Sequence, residues 1–316
     1  MLIDSHCHLD AAEFDSDRLQ VWAQAQSLGV SKVVIPAVHP DNFATVAEFA
    51  QQVTGAYYAL GIHPMYVRYC AQAEFQERNN PSHQENEGRS ANRDIGTSVD
   101  VRVDMDYKQG SDRSVEVYSR EPALSDLEAA IVKALDDPLF VGIGEIGLDF
   151  FVPEISEGAE RERQEHFYQE QLKLAQRYQL PVILHVRRSQ DTLLKYLRRI
   201  RVPGGIAHAF NGSMQQAQAF IDLGFCLGFG GTLTYPRSLQ IRRLATELDL
   251  AQIVLETDAP DIPPAFLTPD TQGQRRNSPE YLPRIARELA DLRGVSYQDI
   301  VSATGANVQR VLTRMS

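Results

Sequence analysis

Little in this sequence would build a secreted or membrane-spanning protein. Cysteine is scarce: Cys7, Cys70 and Cys226 are the only three in 316 residues, odd in number and far apart. Such a set suggests neither a disulfide framework nor a cysteine zinc cluster, and reduced cytoplasmic thiols are the expectation. No run is long and apolar enough to span a bilayer. The chain reaches Asp4 and His6 almost at once, leaving no room for a basic region plus an apolar signal segment, so the expected home is the cytosol. Positive charge is also short, since 31 Lys+Arg against 42 Asp+Glu give a net charge of −11. That balance favours solubility and argues against a broad electrostatic grip on nucleic acid; a polyanionic partner must be held by local positive charge. No Gly-rich dinucleotide fingerprint follows the first apolar run, which counts against a doubly wound open sheet.

What the sequence does contain is a rhythm. At 43% hydrophobic content a sizeable core can be buried. Apolar, often β-branched runs fall at residues 2–6, 32–38, 57–63, 140–147, 181–186, 205–210, 225–231 and 252–258. Segments with helical apolar spacing lie between them, among them 17–30 with Gly29 as a stop, 161–180, 189–200, 213–225 and 237–250. Eight strands alternating with helices predict an α/β fold of the (β/α)8 TIM-barrel type, one barrel over residues 1–316, with its chemistry on the loops at the C-terminal ends of the strands.

One segment interrupts the rhythm. Residues 72–122, after the third strand, are polar and far longer than an ordinary βα loop, with a helix expected to begin near Ser125. The first part reads as solvated loop by composition. In the second, Val99, Val101, Val103, Met105 and Tyr107 alternate with polar residues before a turn-like stretch and Val115 and Val117, which predicts a β-hairpin with one apolar face. A barrel puts this insertion at the rim of its catalytic face, either as a lid that tunes substrate range or as surface decoration or a dimer contact.

Titratable residues stand at the strand ends. His6 and His8 are two positions apart at the first strand, so alternation points both rings to one side, where they suit one divalent ion or simply hydrogen-bond in a core. Glu145, His185, His208 and Asp258 then close strands four, five, six and eight. A stray polar residue at one strand end is ordinary, but five such ends share this register. Six ligands exceed one tetrahedral zinc with an open position. Two ions sharing a carboxylate, roughly 3.5–4 Å apart, is the economical arrangement.

The motifs DSHCHLD, GIHP, GEIGLD, PVILH, HAFNGS and ETDAP, in this order, resemble the signature set of the TatD-type metal-dependent deoxyribonucleases, within the amidohydrolase-like barrel superfamily. The resemblance spans essentially the whole chain outside residues 72–122. Related barrels often bridge two metals with a carbamylated lysine on strand four; here that strand carries Glu145. The resemblance implies that His6, His8, Glu145 and Asp258 hold one metal and that Glu145, His185 and His208 hold the second. A water activated between the two ions would attack a phosphodiester phosphorus, with Asp258 orienting it or taking its proton. The expected partner is DNA, as 3′ ends or single strands, and neither a membrane nor an obligate protein partner is indicated. A D-aminoacyl-tRNA deacylase or another phosphoesterase, and more distantly a non-catalytic metal-binding barrel, are the alternatives. The sequence leaves the metal open among zinc, magnesium and manganese.

Further residues carry weaker expectations. The resemblance puts His63 in the pocket, to bond a phosphate oxygen or assist the leaving group, unless it is an ordinary turn histidine. Arg187 is a phosphate-clamp candidate two residues past His185. Asn211 and Ser213 precede a helix whose N-terminus suits an anion, though the same residues make a good cap. Arg237, Arg275 and Arg276 are candidates for a positive rim, or plain solvated arginines. Glu256 shares the strand face of Asp258 one step deeper, where it would support a ligand. Cys7 should point away from its histidine neighbours.

Overall fold

The computed structural model describes residues 1–70, 121–269, 273 and 275–315. Eight strands, β1 (Leu2–Asp4), β2 (Val30–Pro36), β3 (Ala56–Leu60), β4 (Phe140–Asp149), β5 (Val182–Arg187), β6 (Gly205–Ala207), β7 (Phe225–Phe229) and β8 (Ile253–Leu255), form one sheet in chain order. Every neighbouring pair is parallel. Backbone bonds close the seam between its edges: the N–H of Ser5 donates to Leu255 O (3.0 Å), that of Asp258 to His6 O (2.8 Å) and that of His8 to Ala259 O (2.8 Å). Helices α1 (Arg18–Ser27), α2 (Phe43–Gln52), α3 (Pro122–Ala134), α4 (Gly158–Tyr178), α5 (Gln190–Leu197), α6 (Met214–Ile221) and α7 (Leu239–Glu247) fill the crossovers, and α8 (Leu282–Arg293) and α9 (Tyr297–Val311) follow β8. The (β/α)8 barrel expected from the rhythm of apolar runs is the fold. Among the described residues, no helix is long and apolar enough to cross a membrane.

Strand alternation divides the core in two. Val33, Ile35, Val182, Leu184, Ile253 and Leu255 pack outward against the helices. Their neighbours Val34, Ile183 and Val254 point inward, with Ile3, Val141, Ile206 and Cys226, to fill the lumen. Val308 and Val311 of α9, with Leu312 and Met315 just beyond, join this inner cluster and plug one end. Polar side chains can therefore gather only at the other end, one strand step above an apolar floor.

Element boundaries differ from the sequence expectation where backbone conformation intervenes. Strands are expected to run through residues 6, 63, 210 and 258, but β1, β3, β6 and β8 stop at Asp4, Leu60, Ala207 and Leu255. Ala209 (φ 43°) and Asp258 (φ 56°) are left-handed, a conformation an extended strand excludes. β4 instead runs on to Asp149, so Glu145 lies within its strand rather than closing it. Helix α3 starts at Pro122 and not near Ser125, because a proline lacks only an N–H that a first helical turn would leave unbonded. The insertion expected over 72–122 thus ends before Pro122, and its predicted hairpin lies outside the described residues.

Candidate metal centre

The apolar floor sets the height of the site. His185 stands two residues beyond Ile183, His208 two beyond Ile206, and Glu256 two beyond Val254, so each inherits an inward direction from the lumen residue beneath it. Glu145 comes from the buried middle of β4, and the backbone bonds of the seam bring His6, His8 and Asp258 together. His6 and His8 lie just past β1, yet their rings converge as expected, with Nε2 atoms 3.2 Å apart.

The two oxygens of Glu145 face different groups of imidazoles. Oε2 lies 3.1 Å from His6 Nε2 and 3.4 Å from His8 Nε2. Oε1 lies 2.8 Å from His185 Nδ1, 2.9 Å from His208 Nε2 and 3.3 Å from His63 Nε2. Asp258 Oδ1 approaches the first group, 3.4 Å from His6 and 3.7 Å from His8. Three sets of donor atoms, from His6, His8 and Glu145, from His6, His208 and Asp258, and from His63, Glu145 and His185, each fall within 4.8 Å of one another. Imidazole nitrogens and carboxylate oxygens converging at such distances fit divalent cations. His63, expected at the substrate, thus also stands among the potential ligands.

Burial and charge sort these groups. Burial by itself would raise the Glu145 carboxyl, but the imidazoles of His63, His208 and His6 outweigh it and hold that carboxyl well below the usual range. Burial lowers His63 to about 4 and takes His6 well below its ordinary value, leaving both rings neutral and able to offer lone pairs. His8 is pushed up to about 9: burial opposes its charge, but the hydrogen bond and charge of Glu145, with Asp258 and Asp10, prevail. Burial lifts Asp258 to about 6 against the pull of His208 and His8. The carboxylates thus create a strong demand for positive charge at the mouth of the barrel.

A supporting layer fixes these side chains. Asp149 Oδ2 lies 3.2 Å from His185 Nε2, and its Oδ1 accepts the N–H groups of Phe151 (2.8 Å) and Val152 (3.0 Å). Gln164 in turn bonds the Asp149 backbone, accepting its N–H at 2.8 Å. Asp149 is absent from the sequence reading; with β4 running on past Glu145, it lies four residues further along the same strand, a spacing alternation could have exposed. Asp4 accepts both the N–H (2.9 Å) and the hydroxyl (2.6 Å) of Thr257, tying the first strand to the segment carrying Asp258. Glu256 Oε1 accepts the N–H of Ala209 and lies 3.7 Å from His208 Nδ1, beyond hydrogen-bond reach, so that nitrogen is buried without a hydrogen-bond partner among the described residues. Cys7 turns away, its thiol directed at the carbonyl of Ala259 (3.7 Å).

The remaining candidates are spread around the rim. Arg187 is half-exposed with Nη1 3.7 Å from Asp149 Oδ2. Asn211 is exposed and meets Gln190 through its carbonyl. At Ser213 the cap role is in place: its hydroxyl accepts Gln216 N–H (3.1 Å) and its own N–H donates to Gln216 Oε1 (2.9 Å). Arg276 is engaged elsewhere, donating to both carboxylate oxygens of Asp17 (2.8 and 2.6 Å). Arg237 and Arg275 are exposed.

Comparison with known proteins agrees with this architecture. The model of the family "TatD related DNase" matches residues 3–313. The chain is 35% identical over 302 residues, 95% of its length and 93% of the relative's, to the Escherichia coli (strain K12) protein named "uncharacterized metal-dependent hydrolase YjjV". It is 36% identical over 185 residues, 58% of its length and 69% of the relative's, to the "3′-5′ ssDNA/RNA exonuclease TatD" of Salmonella typhimurium (strain LT2). The crystal structure of the Escherichia coli K12 TatD homologue YjjV superposes with a TM-score of 0.72 at 33% identity, covering 98% of this chain and 97% of that one. A family match along nearly the whole chain, on a barrel whose strand ends gather imidazoles around one carboxylate, establishes that the chain belongs to the TatD related DNase family as a metal-dependent hydrolase.

Proposed function

We propose that this hydrolase is a two-metal phosphodiesterase that shortens single-stranded nucleic acid, DNA in the first instance, from a 3′ end. The observation that carries the reading is the division of imidazoles by Glu145, with His6 and His8 on Oε2 and His63, His185 and His208 on Oε1. In this reading His6, His8, Glu145 and Asp258 hold one cation, and Glu145, His185 and His208 hold the other. The name of the Salmonella relative, a 3′-5′ ssDNA/RNA exonuclease, supports the substrate class.

Divalent cations bound there supply Lewis acidity, which activates water and neutralises charge growing on a phosphoryl group. The protein supplies the proton handling and the positioning. Asp258, whose Oδ1 lies 3.4 Å from His6 Nε2 at the mouth of the barrel, is placed to receive the proton of the attacking water as general base. His63, neutral and buried beside Glu145, is available to a phosphate oxygen or to the departing alcohol. Asp149 keeps His185 oriented, and Arg187 offers a guanidinium to a neighbouring phosphate. Water adds to phosphorus as the bond to the leaving oxygen breaks, its proton passing to Asp258, while the leaving oxygen takes a proton from solvent that Asp258 later returns. A cytosolic setting belongs to the same proposal, consistent with the buried thiols of Cys7 and Cys226 bonded to backbone carbonyls.

The test is an assay of the protein loaded in turn with manganese, magnesium and zinc, against labelled single-stranded DNA, RNA and D-tyrosyl-tRNA. Stepwise loss of nucleotides from the 3′ end, abolished by a chelator and restored by metal, is the expected outcome. Ester cleavage of the aminoacyl-tRNA with intact DNA and RNA under every metal would replace this reading by the deacylase.

A further inference from the structure

Beside the metal centre, two successive arginines at the end of β5 stack on one exposed ring. The Cζ of Arg187 lies 4.0 Å from the ring centroid of Phe151, and that of Arg188 lies 4.6 Å from the same centroid. Phe151 is 44% exposed, so part of its ring stays open to solvent beside the two guanidiniums. The arrangement is held from several directions. Asp149 fixes the Phe151 N–H at 2.8 Å, Phe150 N–H donates to Arg187 O at 2.9 Å, and the buried Ser189 hydroxyl ties the turn to Leu148 O at 2.6 Å. Arg188 itself adopts φ 55°, a left-handed conformation that costs a side-chain-bearing residue about 1 kcal/mol or more and that such a brace can maintain.

Charge gives this cluster its meaning. In a chain with net charge −11, many of the arginines are neutralised by carboxylates: Arg161 by Glu165, Arg177 by Glu128, Arg242 by Glu288, Arg276 by Asp17. Among the described residues Arg188 makes no ion pair, and that of Arg187, with Asp149, is 3.7 Å long. A guanidinium that lies over an aromatic ring without a close carboxylate keeps N–H donors available to a phosphate. The same Asp149 that steadies Phe151 lies 3.2 Å from His185, so the cluster is joined rigidly to the site.

On the phosphodiesterase reading given above, we propose that Phe151, Arg187 and Arg188 form a clamp for the nucleotide adjoining the scissile phosphate. The two guanidiniums hold its phosphate and the ring edge takes its base or sugar. The clamp makes the site select a polynucleotide over an isolated phosphodiester, and it supplies locally the positive charge that the chain lacks overall.

Phe151→Ala, Phe151→Trp and Arg188→Gln, each loaded with manganese, test this against a single-stranded decathymidylate and against bis(p-nitrophenyl) phosphate, which has no neighbouring nucleotide. Phe151→Ala and Arg188→Gln should raise KM for the oligonucleotide about 10-fold, the effect of losing one stacked or phosphate contact, and should raise it far more than for the small diester. Phe151→Trp should restore most of the loss. Arg188→Gln should also flatten the dependence of log KM on log salt by about 0.7, the share of one phosphate contact on a single strand. Equal losses on both substrates, or an unchanged salt slope, would overturn the clamp. If the unsubstituted protein cleaves neither substrate, the phosphodiesterase reading falls. The clamp is then decided by fluorescence anisotropy of labelled decathymidylate: weaker, less salt-dependent binding by Arg188→Gln upholds it, and identical binding rejects it.

Discussion

Asp149 and His185 face each other at 3.2 Å, carboxylate oxygen to Nε2, while the opposite nitrogen of the same ring lies 2.8 Å from Glu145. One imidazole is therefore gripped between a carboxylate that shares the centre and a carboxylate that only orients it. Burial would raise Asp149, yet the hydrogen bond to His185 and the N–H groups of Phe151 and Val152 bring it down to about 2. Asp149→Ala should lower metal affinity about 10- to 100-fold, as loss of an orienting partner does. It should also cost about 1–3 kcal/mol of stability by leaving buried donors unpaired. Metal titration and urea unfolding read the two effects separately, and unchanged metal affinity would mean that His185 needs no orienting partner.

Asp258, the proposed general base, offers a clean substitution. Its φ of 56° is one asparagine adopts readily, so Asp258→Asn retains the backbone while removing the proton acceptor. Turnover should fall by at least about 100-fold with the circular dichroism spectrum unchanged. Undiminished turnover would remove Asp258 from the proposed role.

Gly228 stands two residues beyond the lumen residue Cys226, and the carboxylate of Glu256 occupies the space a Cβ would need there. Gly228→Ala should therefore push Glu256 away from Ala209 N–H and His208, at a cost of about 1–3 kcal/mol from overpacking. A melting temperature equal to that of the parent would show that Glu256 moves aside freely.

The Arg276 pair with Asp17 joins the approach to α1 with the segment between β8 and α8, and its hydrogen bond holds the Asp17 carboxyl below the ordinary 3.8. A depressed folded-state value means stability present above pH 3.8 and lost as pH falls through the lowered value. The pair is largely exposed, so Asp17→Asn should cost at most about 1 kcal/mol at pH 7. That difference should shrink towards zero as the solution is acidified below 3.8, followed by urea unfolding of both proteins. A difference that persists in acid would assign the effect to packing instead.

Much of this architecture is legible without coordinates because barrel strands are buried on both faces and so appear as short continuous apolar runs. Five of the eight runs carry, at or near their C-terminal end, a residue whose chemistry stands out against its apolar neighbours, which is why His6, His8, Glu145, His185, His208 and Asp258 can be picked out as one set. The supporting layer is harder to read, because Asp149, Asp4 and Gln164 take their meaning from partners distant in sequence: Asp4 is bonded to Thr257, 253 positions away.

The sequence by itself determined the parallel barrel and the end at which polar residues gather, since periodicity and residue type are local properties, while the resemblance of its motifs to a known family implied the grouping around Glu145. Only the tertiary structure decided that His63 joins the groups on Oε1 of Glu145, that Ser213 caps its helix and Arg276 pairs with Asp17, and that Arg187 and Arg188 lie over Phe151. Those relationships depend on left-handed turns at Arg188, Ala209 and Asp258 and on contacts between loops far apart along the chain, which no local pattern of apolar and polar residues encodes.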